Sequence, residues 1–322
     1  MDDAADVRHP IRIGISSCLL GQAVRYDGGH KRDSFLTETF GAFVEWVPVC
    51  PEVECGLGTP RESMRLVRVE HDVRLLTVRT AVDLTDRMGA YTRRKVAALD
   101  AEELCGYVLK KDSPSGGLAR VKIYGTGGVP EKSGRGIFAA GLVERFPSLP
   151  VEEEGRLSDP RLRENFVERV FAYWRLRHLF SGRWNLGALV DFHTAHKLIL
   201  MSHSPEAYRQ LGRLVAQARG GERADVKRRY TEMFMSALAV IATPRRHTNV
   251  LQHMAGYFKE HLDAESKQEL AAAIEDYRRG LVPLVAPITL LRHYVRVYDV
   301  SYLAGQRYLA PHPKELMLRN RV

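Results

Sequence analysis

The residues of this sequence that could carry chemistry most directly are its four cysteines. Cys18, Cys50, Cys55 and Cys105 all lie in the first third of a 322-residue chain. Thiolates bind soft metals and iron-sulfur clusters, so thiols gathered in one part of a chain favour a site of that kind. No Cys-x-x-Cys pair is present to require one. Buried, inert thiols are the alternative, because cysteines stay reduced in a reducing compartment and free cysteine is often buried in the protein core.

Two of these cysteines follow segments that have the pattern of strands. Residues 11–17, which resemble a buried strand, end just before Cys18, and a second strand at residues 44–49 ends just before Cys50. A third candidate strand, residues 106–110, leads into the glycine-containing loop 111–117. In open α/β sheets, ligands bind where the carboxyl ends of the strands meet. The pattern therefore predicts one site formed by three loops, although ordinary surface turns have the same composition.

The rest of the chain divides into two parts of different character. Before residue 148, a helix near 33–43, a hairpin at 64–69 and 73–78 and a helix at 84–99 accompany these strands. After residue 160 the pattern is helical, with helices near 161–180, 186–202, 205–219, 224–242, 248–262, 264–279 and 283–298. The sequence predicts an α/β domain at 1–148 with a site at the strand C-terminal ends, a linker at 149–160 and an all-α helical domain at 161–322.

Charge is divided unevenly between the two halves. The net charge is +9; residues 1–150 contribute 21 Lys/Arg against 20 Asp/Glu, and residues 151–322 contribute 27 against 19. An excess of this kind attracts polyanions such as RNA, although a solvated surface also produces it. The longest apolar stretch is too short to cross a bilayer, and the acidic first ten residues do not resemble a targeting segment. We therefore expect a cytoplasmic protein that does not enter a membrane.

Three strings in the first half carry a specific resemblance: SSCLLGQAVRYDGGHKRD, VPVCPEVECGLGTPRE and LKKDSPSGG. They resemble the thiouracil desulfidase domain family, whose members hold a [4Fe-4S] cluster on three cysteines and leave one iron open. The second half, with LVDFHTAHKLILMSHSPEAYRQLGRLVA, ATPRRHTNVLQHMAGYFK and YLAPHPKELMLRN, looks like the helical domain fused to that module in bacterial tRNA 4-thiouridine desulfidases. The resemblance implies replacement of a ring sulfur by oxygen, with tRNA as the partner.

The resemblance makes Cys18 and Cys50 ligands of the [4Fe-4S] cluster. The third family ligand is the cysteine of SPSCG, and Gly116 occupies its position here. Cys55 and Cys105 could each supply a replacement thiolate. We rank Cys55 first, because it shares the loop that carries Cys50. A relative without a cluster is the third possibility.

The resemblance also assigns the two groups that act on water and on the departing sulfur. Glu52 of the CPE motif would be the general base, and Ser113 of SPSGG would position the water or the sulfur by hydrogen bonding. The net reaction exchanges C=S for C=O by hydrolysis, so it needs no electron donor. Without the resemblance, Glu52 would be interpreted as a helix-cap or salt-bridge carboxylate and Ser113 as a turn residue.

Substrate contacts are predicted in both halves. In the first half the candidates follow Cys18 and Cys50, where arginine and tyrosine suit stacking and phosphate contact, or where RYDGG is only a turn: Arg25, Tyr26, Asp27, Lys31 and Arg61. In the second half they are basic residues near aromatic ones, which could equally face water: Lys227, Arg228, Arg229, Arg245 and Arg246. His193 and His196 are expected to be structural or RNA-facing rather than metal ligands.

Three functions are compatible with these features. The first is a tRNA 4-thiouridine desulfidase that recognises tRNA through the helical domain. The second retains the chemistry but takes free thiouracil, with the helical domain used for dimerisation, and the basic second half argues against it. The third is a non-catalytic RNA-binding protein that has lost its cluster through the change at Gly116.

Overall fold

The structure, a computed structural model, describes residues 10–125 and 129–321. The chain forms two compact units, Met1–Asp159 and Pro160–Val322. The first nine residues, on which part of the expectation about targeting depends, lie outside the described range. Among the residues that are described, no helix is long and apolar enough to cross a membrane.

The first unit is built on a four-stranded parallel sheet. One of its two inner strands, β1 (Arg12–Ser16), carries Ile13 and Ile15. Both side chains are fully buried, as expected for a parallel sheet covered on both faces. The strand order is β2-β1-β5-β8, with every pairing parallel. The strands are β1 (Arg12–Ser16), β2 (Glu45–Val49), β5 (Gly106–Leu109) and β8 (Val151–Glu153).

A second four-stranded sheet of mixed direction belongs to the same unit. It contains the predicted hairpin, whose strands pair in antiparallel register from Met64–Thr77 to Val69–Asp72. Its order is β4-β3-β6-β7, and two α-helices pack against each other beside it. These elements are β3 (Met64–Val69), β4 (Asp72–Thr77), β6 (Val121–Tyr124), β7 (Glu131–Gly134), α1 (Thr85–Ala98) and α2 (Ile137–Arg145).

One sequence prediction for this unit was wrong and another differs in detail. The helix expected near residues 33–43 is present, but as a π-helical turn, Phe35–Thr39, followed by a short 3-10 turn, with Leu36 and Phe40 fully buried. Residues 151–153 of the expected linker form strand β8 instead. Their buried carboxylates have partners within the fold, since Glu153 accepts from the backbone N–H of Leu118 at 2.8 Å. An acidic run was thus mistaken for solvated chain.

The second unit is helical throughout its described residues. Side-chain oxygens at its helix starts, for example Ser204 and Thr243, accept hydrogen bonds from the first turn. The predicted helix 186–202 is two helices that meet at His196, where the backbone departs from helical values (φ −99°, ψ 3°) and Nδ1 lies 2.8 Å from the carbonyl oxygen of Phe192. The helices are α3 (Pro160–Leu179), α4 (Leu186–Ala195), α5 (Lys197–His203), α6 (Pro205–Gln217), α7 (Arg223–Ala239), α8 (Pro244–Ala255), α9 (Ala264–Arg278), α10 (Val285–Val297) and α11 (Ser301–Ala304).

A buried ionic network ties the start of this unit to its end. Glu168 on α3 accepts from Arg319 Nη2 at 3.0 Å and lies 2.6 Å from His203 Nε2. The Glu168 carboxylate is 4% exposed, and its cationic partners hold its pKa well below the usual range despite burial. The predicted fold class, an α/β domain followed by an all-α domain, is confirmed.

Candidate functional site

A cavity of about 380 Å³ lies where the carboxyl ends of β1, β2 and β5 meet. The three loops that follow these strands line it, together with residues from the segment after Cys18 and from the start of β3. Parallel strands place their C-terminal loops at one edge of the sheet, which explains why segments distant in sequence converge here. This edge is the candidate active site.

Two thiols face this cavity, Cys18 and Cys50. Burial raises the pKa of Cys18 to about 11 and that of Cys50 to about 12, and the Glu52 carboxylate adds to both shifts. The Cys50 Sγ lies 3.5 Å from Glu52 Oε2. Both thiols are therefore protonated at neutral pH in the protein alone, and a metal that binds them must displace their protons.

Cys55, which we expected to replace the third ligand, does not line the cavity. Its Sγ donates to the carbonyl oxygen of Glu52 at 3.3 Å, and its own carbonyl accepts from Arg87 Nε at 2.7 Å. The turn that follows requires Gly56 in the left-handed region, at φ 88°. Sharing a loop with Cys50 did not suffice, because this local backbone fixes the thiol on a different side.

The alternative, Cys105, lies at the opposite end of the sheet. It precedes β5, and its backbone N–H donates to the carbonyl of Arg12 at the start of β1. Cys18 follows the last residue of β1, so the two thiols are separated by the length of a strand, roughly 15 Å. Cys105 is thus a buried structural thiol that cannot reach the cavity.

Gly116 lines the cavity and leaves room for a side chain. A Cβ atom built there would have Ser113 Oγ at 3.7 Å and Ser16 Oγ at 3.9 Å as neighbours, which is ordinary contact. The adjacent Gly117 differs, since its Cβ would lie 2.4 Å from Val121 Cγ2. Position 116 could thus present a third side chain to the space that Cys18 and Cys50 face.

The donor set was compared with the cluster that the resemblance implies. Two thiols line the cavity, one fewer than the three thiolates of a family-type [4Fe-4S] site. Within the described ranges, no group of three or more His, Cys, Asp or Glu side chains is placed to hold a metal ion. As they stand, the residues present do not fit a three-thiolate cluster, and the missing donor corresponds to Gly116.

The Glu52 carboxylate is held by several side chains of the cavity. Its Oε1 accepts from Ser113 Oγ at 3.3 Å and from Ser115 Oγ at 2.5 Å, and its Oε2 lies 3.9 Å from Arg61 Nη2. The carboxylate makes no helix-capping hydrogen bond. A largely buried carboxylate held by two hydroxyls beside open space can accept a proton from a bound water.

Ser115 was missed by the sequence analysis, although it belongs to the same SPSGG string as Ser113. The signal that could have found it is the alternation Ser-x-Ser, which can turn both hydroxyls to one acceptor. The Ser113 hydroxyl also accepts from the backbone N–H of Gly116 at 3.1 Å, so it shapes the turn as well. Both interpretations of Ser113 therefore describe real contacts.

The predicted substrate contacts of the first unit separate into two groups. Arg25, Tyr26, Lys31 and Arg61 line the cavity, whereas Asp27 does not. Asp27 accepts a hydrogen bond from the backbone N–H of Gly29 at 3.0 Å and so closes a turn. For Asp27 this agrees with the alternative interpretation, in which RYDGG is only a turn. Arg61 is largely buried, and its Nη1 donates to the carbonyl of Val24 at 2.9 Å. Arg61 therefore holds the loop rather than reaching outward.

Most of the predicted basic contacts of the second unit are occupied by intramolecular partners. Arg228 pairs with Asp225 at 2.6 Å and with Glu232 at 3.2 Å, and Arg229 also approaches Asp225. Lys227 Nζ donates to the carbonyl of Phe180, and Arg246 Nη1 to that of His203. Arg245 is exposed and makes no ion pair within the described residues. Four of the five residues thus have partners inside the protein, while the side chains of Arg228 and Arg229 stay more than half exposed.

Comparison with known proteins agrees with this division of the chain. Residues 13–154 match the family model described as 2-thiouracil desulfurase, and residues 197–313 match a domain of unknown function, DUF1722. The uncharacterized protein YbgA of Escherichia coli is 38% identical over 161 residues, which are 95% of that protein and 50% of this chain. The chain belongs to the family of YbgA. Its residues 13–154 are in addition similar to the 2-thiouracil desulfurase family.

A solved structure was also found, described as the [4Fe-4S]-dependent thiouracil desulfidase TudS. It is 31% identical, covers 48% of this chain and 99% of its own, and superposes with a TM-score of 0.39.

Proposed function

We propose that this protein removes the sulfur of 4-thiouridine in tRNA and replaces it with oxygen. One observation carries the proposal: within the domain that matches 2-thiouracil desulfurase, the Glu52 carboxylate is held by Ser113 and Ser115 in a cavity between buried thiols. A carboxylate in this position suits activation of water beside a bound ring.

The chemistry is a hydrolysis that conserves electrons. Water loses a proton to Glu52 and adds to C4 of the ring, the C–S bond breaks, and the sulfur leaves as hydrosulfide while the C=O bond forms. Ser115 and Ser113 hold Oε1 of the carboxylate, and its Oε2 lies 3.5 Å from Cys50 Sγ, so the orientation of the carboxylate beside the cavity is fixed. Enclosure limits the access of other waters to the same carbon.

The cavity suits a pyrimidine at its mouth. Tyr26 is 44% exposed, and the Arg25 guanidinium lies 5.5 Å from the centroid of its ring. A planar ring with a cation above it is a surface on which a base can stack, and an exposed Lys31 nearby can contact a phosphate. The same arrangement would hold a nucleoside within a larger RNA.

An iron-sulfur cofactor is proposed from the family resemblance, and the side chains of the cavity supply two of its ligands. A [4Fe-4S] cluster is the proposed cofactor of this cavity, with Cys18 and Cys50 as two of its ligands. The third ligand position is the one at which Gly116 offers no donor, and Cys55 and Cys105 lie elsewhere.

tRNA is the proposed partner because of how charge divides between the two units. The helical unit, Pro160–Val322, holds 26 Lys/Arg and 15 Asp/Glu, a balance of +11, while the first unit is slightly acidic at −2. An excess confined to one unit supports binding of a polyanion by counterion release. A free thiouracil base has no phosphate and would not use it.

The test is mass spectrometry of nucleosides from 4-thiouridine-containing tRNA, before and after anaerobic incubation with iron-reconstituted protein. We expect 4-thiouridine to decrease and uridine to increase in equal amount, and Glu52→Gln, which keeps an acceptor for both serines, to abolish the change. Conversion of free 4-thiouracil without conversion of tRNA would reject the tRNA substrate. No conversion of either would reject the desulfidase proposal.

A non-catalytic RNA-binding protein is the second candidate, and Gly116 favours it, since the cavity lacks the third thiolate. The two functions are separated by combining the nucleoside assay with the absorbance of the reconstituted protein. A protein that binds tRNA, remains colourless and converts no nucleoside supports this second function.

A further inference from the structure

A group of aromatic and basic side chains on the helical unit has no role in the site described above. Its members come from separate segments: α5, α6, α8, the short turn Gly256–Phe258 and α11. We call them the aromatic surface, and they are Lys197, Tyr208, His253, Tyr257 and Tyr302. Helix periodicity alone does not reveal this group, because each segment contributes one member.

The rings of this surface are arranged for stacking. Tyr257 and Tyr302 lie with centroids 5.2 Å apart and planes 17° from parallel, and His253 meets Tyr257 edge-on at 5.7 Å. Tyr208 stacks in turn on His193, which is buried, at 5.7 Å and 6°. The stack of Tyr208 on His193 anchors one edge of the surface to the core, and the outer rings are held against neighbours rather than left free to rotate.

A single cation accompanies the rings. Lys197 Nζ lies 5.7 Å from the centroid of the Tyr302 ring. The pKa of His253 is lowered mainly by burial and secondly by the positive charge of Lys197. The ammonium group of Lys197 therefore also lies within electrostatic reach of the His253 ring. Within the described residues Lys197 makes no ion pair, unlike Arg228 and Arg229. Its charge is available to a ligand.

Tyr208 and Tyr302 are partly buried and pack against the core, whereas Tyr257 and His253 are exposed. Tyr257 is 37% exposed, and the adjacent Phe258 on the same turn is fully buried and supplies the core contact there. Tyrosine at the surface, held rigidly beside an unpaired lysine, is the combination that binds unpaired bases, because every base offers a face for stacking and a phosphate beside it.

We propose that the aromatic surface binds an unpaired nucleobase of tRNA by stacking on Tyr257, with Lys197 in contact with a neighbouring phosphate. This inference rests on the proposed function, since it assumes that tRNA is the partner. The proposed contact site differs from the basic residues that the sequence suggested. Most of those residues already bind partners within the protein. Duplex RNA, whose bases are already stacked, would not use it.

The experiment measures the Kd of the full-length chain for an unmodified tRNA transcript, labelled at its 3′ end, by fluorescence anisotropy over a range of salt concentrations. Tyr257→Leu removes the ring at a partly exposed position and should raise Kd about tenfold, whereas Tyr257→Phe keeps the ring and should remain within about twofold. For a duplex RNA of similar length, Tyr257→Leu and the parent protein should have equal Kd values.

Lys197→Gln provides a second, independent measurement. It should reduce the slope of log Kd against log salt by about one, the value for one lost phosphate contact. Lys267→Gln, an exposed lysine of α9 with the same change in charge, is the matched control and should leave that slope unaltered.

The possible failures are distinguishable. If the parent protein does not bind tRNA, the proposed partner is wrong. If it binds and Tyr257→Leu binds equally well, the aromatic surface is not the contact site and the proposed function stands. Equal losses for the Leu and Phe variants, or an equal loss on duplex RNA, would reject stacking. A dimer of the parent that dissociates in Tyr257→Leu would show that a second copy of the chain occupies the surface instead.

Discussion

Introducing a cysteine at position 116 tests the arrangement of the candidate site most directly. Gly116→Cys adds a thiol to the wall that Cys18 and Cys50 share. The nearest atoms to a new Cβ are 3.7 to 3.9 Å away, and the backbone there is not left-handed, so the variant should fold without strain. Substituting glycine at a compatible position changes the unfolding free energy by about 0.4–1 kcal/mol, in the stabilising direction.

The effect should therefore appear in cofactor binding rather than in stability. Even second-sphere partners of a metal site alter its affinity by about 10–100-fold, and a direct ligand should do at least as much. After anaerobic reconstitution and desalting, we expect Gly116→Cys to retain about four irons per chain with a broad visible absorbance shoulder. The parent protein, with two thiols at the cavity, should retain clearly less.

Two controls make the result specific. Gly116→Ser adds a side chain of similar size without a thiolate and should behave like the parent. Cys50→Ser in the Gly116→Cys background removes one of the three thiols and should return iron retention to the level of the parent. Equal iron content in the parent and in Gly116→Cys would refute the reasoning, because position 116 would then not be the third ligand position.

Three further predictions concern single contacts. Ser115→Ala removes a 2.5 Å hydrogen bond to the Glu52 carboxylate; a bond to a charged group contributes about 1.5–3 kcal/mol to stability, so the free energy of unfolding should fall by about that amount. The kcat of the nucleoside assay should also fall at least tenfold, because a misplaced catalytic group can cost about 100-fold, and a loss of stability with an unchanged kcat would contradict the orienting role of Ser115. Glu168→Gln removes one of the two carboxylates that face the buried Arg319 and leaves Glu164, whose Oε1 lies 3.2 Å from Arg319 Nε; urea unfolding should show a loss of about 1.5–3 kcal/mol, the contribution of a hydrogen bond to a charged group, and an unchanged free energy of unfolding would contradict the buried pair. Burial lowers the pKa of His247 to about 3. Between about pH 6.5 and pH 3 the imidazole is therefore protonated in the unfolded chain and neutral in the folded one, so the free energy of unfolding falls as the pH is lowered through this range. His247→Asn should reduce that dependence by about 1.4 kcal/mol per pH unit, and an identical dependence in both proteins would show that His247 does not cause it.

Much of the architecture could be predicted from local patterns in the chain. The period of apolar residues located seven helical segments of the second unit, and the placement of Cys18 and Cys50 after predicted strands located the edge of the sheet where the cavity lies. These features depend on a few neighbouring residues at a time, and local periodicity is enough to determine which face of an element is buried.

Other elements depended on partners far along the chain. Strand β8 was not predicted, because its acidic residues resemble solvated linker until the N–H of Leu118 is known to meet Glu153. For the same reason the sequence showed that Arg228 is charged, but not that Asp225 and Glu232 neutralise it.

The sequence by itself thus determined the fold class, the division into a nearly neutral and a basic part, and the motifs that bring thiols, a carboxylate and Ser113 to one edge of a sheet. Only the tertiary structure decided which groups face the cavity: Ser115 does, and Cys55 and Cys105 do not. The physical reason is that side-chain direction and pairing are set by backbone conformation and by contacts between distant residues. Neither is encoded in the spacing of residue types along the chain.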